Sequence, residues 1–134
     1  MIIASLLVGL QGYSVGAQEV IVNKSVSKTS IDKHALKSIF SMNLLTWPDG
    51  SPIRVFVLPG KNPVHISFSK KVLDTLPHNL QRTWDRLVFS GTGQSPEIVS
   101  SEKEMVEKIS SVRGAIGYVD NMSRKEEIKV LYVH

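Results

Sequence analysis

The sequence predicts one α/β domain, in which a mixed, mostly parallel sheet carries helices on both faces. Segments with helical periodicity alternate along the chain with short runs of β-branched residues, which is the pattern of α/β proteins. The run 115–119 is uncharged and nearly all apolar, as expected of a strand that is buried on both faces. The chain has 134 residues, a length that favours a single domain.

Residues 1–17 are predicted to be a signal peptide, which leaves residues 18–134 as the domain. The stretch 1–10 is uncharged and mostly apolar, and Val15-Gly16-Ala17 places small residues where a signal peptidase reads the chain. No lysine or arginine precedes Lys24, so a buried first strand or helix stays open as the alternative.

The first half of the domain is predicted to fold as strand, helix, turn and strand. A β-branched strand is expected over 19–26, and Ser30 is placed to cap the helix that follows. Proline at the second and glycine at the fourth position of 47–50 favour a type I turn. The next strand is expected over 53–58.

In the middle of the chain, Asn62 is the predicted cap of a helix whose first residue is Pro63. Pro77 is predicted to stop that helix, and another is expected from about Asn79. Its inward residues are expected to be Leu80, Trp84, Leu87 and Val88. The glycine- and serine-rich stretch 90–96 is predicted to be a loop.

The last part of the chain begins with a helix whose first turn carries a capping box, Ser101 with Glu104. Gly114 follows the last apolar helical position, where a left-handed residue is needed before the strand 115–119. The charged segment 120–128 is expected to be exposed, and 130–133 to close the domain as a short strand.

No catalytic or cofactor motif is evident. The chain has no cysteine, its four histidines lack metal-ligand spacing, and no nucleophile elbow frames a serine. Gly91-Thr92-Gly93 lacks the spacing and the lysine of a phosphate-binding loop. We therefore predict no enzyme activity, no metal and no cofactor.

The charge pattern bears on partners. The net charge of +4 comes from scattered side chains, which fits a solvated surface or, as the alternative, an anionic partner. Trp47 and Trp84 are predicted to belong to the core rather than to stack on bases, because no basic, aromatic-rich strand accompanies them. No nucleic-acid partner is expected.

One loop is a candidate anion site. Ligands of such sheets bind beyond the carboxyl ends of strands, and here that edge includes the loop after Leu58. Gly60 lets a backbone approach closely, Lys61 supplies a positive charge, and Asn62 and His65 supply neutral or switchable donors. A surface loop with an ordinary helix cap is the alternative.

Several segments together resemble a known family. These are Ile39-Phe40, Trp47-Pro48-Asp49-Gly50-Ser51-Pro52-Ile53, 68–73, Trp84 and Arg113-Gly114-Ala115-Ile116-Gly117-Tyr118-Val119. They resemble the periplasmic phosphate-binding proteins of phosphate ABC transporters, and in particular their short, single-lobe relatives. The likeness extends from Ser30 to Val119, about two thirds of the chain.

The resemblance implies a type II periplasmic-binding-protein lobe that binds phosphate or another small anion in the periplasm. It implies an inner-membrane transporter or sensor as partner, and we expect a monomer. The alternative is an interaction or sensory module that kept the fold and lost the ligand. In the family the corresponding loop carries an arginine and then Ser-Gly-Thr, whereas this chain has Leu58 and Asn62-Pro63-Val64.

Overall fold

The computed structural model describes residues 16–121 and 128–134. The strands are β1 (Gln18–Val22), β2 (Ser30–Ile31), β3 (Arg54–Val57), β4 (Glu97–Ile98), β5 (Ala115–Asp120) and β6 (Lys129–Val133). The helices are α1 (Lys33–Phe40), α2 (Pro63–Ser67), α3 (Pro77–Phe89) and α4 (Glu102–Ser111), and a π-helical turn (Phe68–Val72) continues α2.

The six strands of the described part form one sheet in the order β2-β6-β1-β5-β3-β4. β1 runs antiparallel to its neighbours β5 and β6, whereas β3 is parallel to both β4 and β5, and β2 is parallel to β6. The predicted mixed, mostly parallel sheet is confirmed.

Helices cover both faces of the sheet, as the sequence predicts. A Cβ added at Gly117 would lie 2.5 Å from Met105 Sδ, so α4 packs directly on the backbone of β5. The next side chain along a strand points to the opposite face, and there Tyr118 stacks on Phe68 with 3.9 Å between ring centroids. All six residues of β5 are buried, which confirms the interpretation of this run as a two-faced strand.

The turn between α4 and β5 depends on Gly114. Its φ of +75° confirms the predicted left-handed conformation. The Gly114 carbonyl accepts hydrogen bonds from Trp47 Nε1 at 3.0 Å and from the Arg54 amide at 3.1 Å. One peptide group therefore joins the end of α4 to the start of β3 and to the 44–50 segment.

The predicted N-cap of α4 is present, but the return bond of the capping box runs to Ser100 instead of to the Ser101 amide. Ser101 Oγ accepts from the Glu104 amide at 3.1 Å, and the Glu104 carboxylate accepts from the amide and hydroxyl of Ser100. These bonds from Ser100 lower the pKa of Glu104.

Both tryptophans are buried, as predicted. Trp84 Nε1 donates to the Phe40 carbonyl at 2.8 Å, which ties α3 to the end of α1. Phe40 meets Phe68 edge to face, with ring centroids 5.0 Å apart. α1, the π-helical turn and α3 thus form one aromatic layer on the Tyr118 face of the sheet.

The structure corrects two boundaries in the first half. Ser30 does not cap a helix, because Ser30 and Ile31 pair with β6, and Asp32 caps α1 by accepting from the Ala35 amide at 2.7 Å. β1 ends at Val22 rather than at residue 26, because the Asn23 side chain turns the chain by accepting from the Ser25 amide.

Further corrections concern α3 and the last segment. Pro77 begins α3 instead of ending the preceding helix, since proline is well tolerated in the first turn. Val88 is 53% exposed, so the inward face of α3 ends earlier than predicted. Asp120 and Ile128 are buried rather than exposed. Residues 122–127, the rest of that segment, lie outside the described residues, as does most of the predicted signal peptide.

Within the described residues, none of the helices combines the length and apolar character that crossing a membrane requires.

A candidate anion-binding loop after β3

The candidate loop begins at the carboxyl end of β3, on the sheet edge where its parallel neighbours β4 and β5 also end. Leu58 is 1% exposed, and its amide donates to Tyr118 Oη at 3.0 Å. The start of the loop is therefore fixed to β5, and the position that carries an arginine in the resembling family is here part of the apolar core.

Asn62 caps α2 as predicted. Its Oδ1 accepts from the Val64 amide at 2.8 Å, and its carbonyl accepts from the Ile66 amide at 3.0 Å. The Asn62 amide in turn donates to the Pro59 carbonyl at 3.0 Å, which closes the loop into a turn. The side-chain NH₂ of Asn62 is the part of this residue left to donate to a ligand.

Gly60 and Lys61 form the exposed tip of the loop. Among the described residues, neither backbone N–H has an assigned acceptor, and Lys61 Nζ has no ion pair. A Cβ added at Gly60 would meet nothing within 4 Å, so packing does not demand glycine there. The tip is open to solvent, and the donors it offers are two backbone N–H groups and one ammonium group.

His65 lies in the core, 2% exposed, and its Nδ1 contacts Tyr118 Oη. Its ring also lies 6.4 Å from that of Trp84, between centroids. The expectation of a switchable donor beside Lys61 is therefore corrected: the single turn of α2 directs His65 toward the sheet. Of the four predicted residues, the structure brings Gly60, Lys61 and Asn62 together at the surface and places His65 beneath them.

The protons of the buried pair can be assigned. Burial lowers the pKa of His65, so its ring is neutral near pH 7. Burial raises the pKa of Tyr118, while the Leu58 amide opposes that rise. Because the phenol oxygen accepts from Leu58, its own proton is available for His65 Nδ1, which places the ring proton on Nε2.

Tyr118 is the residue of this site that sequence reasoning missed. Its pattern predicts a buried strand and its segment belongs to the family resemblance, but nothing in the apolar run 115–119 indicates which group its hydroxyl meets. A buried tyrosine needs a hydrogen-bond partner, and that requirement was the available signal.

The neighbouring strand end carries negative charge. Asp120 Oδ2 accepts from the Gly16 amide at 2.8 Å, and Glu102 Oε1 accepts from the Asp120 amide at 2.7 Å. Both carboxylates are therefore engaged with backbone amides at this point of the edge. Over residues 16–121 and 128–134, no group of three or more histidine, aspartate or glutamate side chains is arranged to hold a metal ion.

No model of a known protein family matches the chain, and no curated protein matches it. Solved structures do match, at low sequence identity, and they show which fold the chain has. One is assigned as a phosphate ABC transporter substrate-binding protein with bound phosphate, from Clostridium perfringens; its TM-score is 0.72 at 13% identity over 90% of this chain and 46% of that one.

Two further matches are an ABC-type phosphate transport receptor from Vibrio cholerae and PstS from Borrelia burgdorferi. Their TM-scores are 0.67 and 0.64, each at 16% identity over 90% of this chain, and the match covers 47% and 49% of their own lengths. The chain thus shares the fold of these three structures, which confirms the predicted periplasmic-binding-protein-like fold, and it spans about half their length.

Proposed function

We propose that this chain is a periplasmic anion-binding domain linked to phosphate uptake, and that it binds phosphate or another small anion weakly at the loop after β3. The observation that carries the proposal is the exposed loop tip, where the amides of Gly60 and Lys61, the Lys61 ammonium group and the Asn62 side chain are all donors. The fold shared with phosphate-binding proteins supports the choice of anion.

The proposed biology follows from the same reasoning. The domain over residues 18–134 would act as a monomer after export and meet an inner-membrane phosphate transporter. It would carry out no chemistry of its own, since the loop offers donors but no nucleophile or general base.

Binding is expected to be weak because the strongest contacts are missing. Leu58 is a buried apolar residue and cannot supply the charge-assisted grip of an arginine, and Asn62-Pro63-Val64 lacks the two hydroxyl donors of Ser-Gly-Thr. At about 1–3 kcal/mol for each lost bond, the deficit is several kcal/mol. Since about 1.4 kcal/mol is tenfold in affinity, a complete site with a dissociation constant on the order of micromolar would be weakened to one on the order of millimolar.

The test is an NMR titration with phosphate at low ionic strength. We expect saturable shifts confined to residues 60–66, weakened by Lys61→Ala and by added salt, because Lys61 is exposed. Lys70→Ala is the matched control, an exposed lysine on the π-helical turn with the same change in charge. Saturation at micromolar phosphate would contradict the weak-site proposal.

The pH dependence tests the role of His65 separately. With sulfate, whose charge is constant over this range, affinity should stay flat as pH falls to about 6.5, because burial lowers the pKa of His65 below that value. A rise in affinity that begins above pH 6.5 and disappears in His65→Gln would place His65 in the site after all.

A second function, the interaction or sensory module, is favoured by a different observation. Phe89 is 96% exposed and Val88 53% exposed at the end of α3, and Ile98 is 62% exposed on the edge strand β4. Contiguous exposed apolar patches mark protein contacts, so this function requires the three side chains to form one patch. Two results together would favour this function over anion binding. Phosphate at tens of millimolar would move no NMR signal of residues 60–66, and Phe89→Ser would abolish chemical cross-linking of the domain to the transporter.

A further inference from the structure

A second concave site lies between α1 and the 44–50 segment. It is a groove of about 450 Å³, within the roughly 300–1,000 Å³ usual for small-molecule sites. Its wall includes Trp47, whose Nε1 bonds to the carbonyl of Gly114 just before β5. The groove therefore lies at the amino end of β5, whereas the anion loop lies beyond the carboxyl end of β3, so the two sites are separate.

The floor of the groove is apolar and well packed. Ile31, Ile39 and Trp47 line it and are 3%, 0% and 5% exposed. Leu44 lines it as well and remains 39% exposed, so a large apolar side chain faces solvent at the rim. The floor is already out of water, so the apolar surface that a ligand would cover belongs to Leu44, Ala35 and Pro48.

Among the described residues that line the groove, Lys28 is the one that carries a charge. Within the described ranges it takes part in no ion pair, and no carboxylate lines the groove beside it. The Thr46 hydroxyl is a further polar group on the wall. An apolar floor with a single cation at its side is complementary to a molecule that joins a hydrocarbon body to one negative charge.

We propose that this groove binds a small amphiphilic carboxylate, with its apolar body on Ala35, Leu44 and Pro48 and its carboxylate at Lys28. Such a ligand goes beyond the anion proposed for the loop after β3, because the affinity would come mainly from apolar burial. A partly exposed ion pair adds little to the binding free energy, so the main effect of the charge would be to fix the orientation of the ligand.

The probe is decanoate below its micelle concentration, followed through the indole N–H signals of the two tryptophans. We expect a saturable shift of the Trp47 signal with little change at Trp84, which lies in the aromatic layer with Phe40 and His65. Octanoate should bind several-fold more weakly than decanoate, by up to about fifteenfold, because each fully buried methylene is worth about fourfold.

Two variants test the assigned contacts. Lys28→Gln should lower the affinity for decanoate about two- to fivefold and leave the affinity for decanol unchanged. Lys24 is an exposed lysine in the same connection, and Lys24→Gln should change neither affinity. Ala35→Leu fills the groove from α1 with a good helix former and should weaken both ligands, with an unmoved Trp84 signal showing that the fold is intact.

Three results would overturn the proposal. They are an unmoved Trp47 signal, decanoate binding that Lys28→Gln leaves unchanged, and decanoate shifts that appear in residues 60–66 instead. The last result would place the carboxylate at the anion loop. It would not decide whether phosphate binds there, which the phosphate titration tests separately.

Discussion

Replacing Gly114 by alanine should be among the most damaging single-methyl changes in this domain. Gly114 has a φ of +75°, and a Cβ there would lie 2.3 Å from the Pro52 carbonyl oxygen. The obstructing atom belongs to the backbone, so it cannot rotate away as the end of a side chain can. Relief would require the segment that carries Pro52 to move, together with the bond from Trp47 Nε1 to the Gly114 carbonyl.

Two costs add at this position. A residue with a side chain in the left-handed region costs about 1–2 kcal/mol. Forcing extra volume into a packed site costs typically about 1–3 kcal/mol more. We therefore expect Gly114→Ala to lower the free energy of unfolding by about 2–5 kcal/mol, a large part of the roughly 5–15 kcal/mol of an ordinary domain. Gly114→Val should cost more, because a β-branched residue fits this region worse.

Alanine substitutions at two other glycines, measured by chemical denaturation, separate the backbone cost from the packing cost. Gly50 has a φ of +89° but an added Cβ would meet nothing within 4 Å, so Gly50→Ala should show the backbone cost alone, about 1–2 kcal/mol. Gly60 has neither feature, so Gly60→Ala should be neutral or slightly stabilising. The expected order of destabilisation is Gly114, then Gly50, then Gly60.

Equal values for Gly114→Ala and Gly50→Ala would show that the contact with Pro52 relaxes at no cost. A Gly114→Ala variant as stable as the wild type would refute the left-handed turn itself.

Two further predictions concern acid stability and processing. Because burial lowers the pKa of His65, the unfolded chain binds a proton there more readily than the folded chain does, so the stabilising contribution of neutral His65 is present above about pH 6.5 and is lost as pH falls below it. Denaturation midpoints measured between pH 5 and 8 should show this slope in the wild type and in the exposed control His78→Gln. A slope that persists in His65→Gln would assign it to other groups. The exported protein should begin near Gln18, and an intact mass that still includes Met1 in periplasmic material would contradict the signal peptide.

The sequence was most informative where several local signals agreed. Ser101, Glu104 and Gly114 mark the start and end of one helix by capping chemistry, and the apolar run after them has few alternatives to a buried strand. Such features depend on neighbours in the chain, so they can be read without knowledge of the tertiary fold.

The sequence predictions were wrong where a contact with a residue far along the chain determined the local structure. Ser30 is a good cap, but pairing with β6 makes it part of a strand. β4 has two residues and exists because of its pairing with β3. His65 looks like a surface residue of a helix start, and only the position of Tyr118, more than fifty residues later, shows that it is buried. Tertiary contacts of this kind override local preference.

The position of β1 in the sheet has a consequence for how the protein is made. β1 lies between β5 and β6, so the earliest strand of the described fold pairs only with the two latest ones, and the bond from Gly16 to Asp120 spans 104 residues. Pairings so distant are slow to form, because a long loop must close before any contact offsets its entropy. During synthesis β1 leaves the ribosome with no strand to pair with, and the centre of the sheet stays incomplete until residue 133 has emerged. The described fold should therefore stay incomplete until residue 133 has been made, and a chain with an open sheet is the state in which chaperones meet a nascent protein.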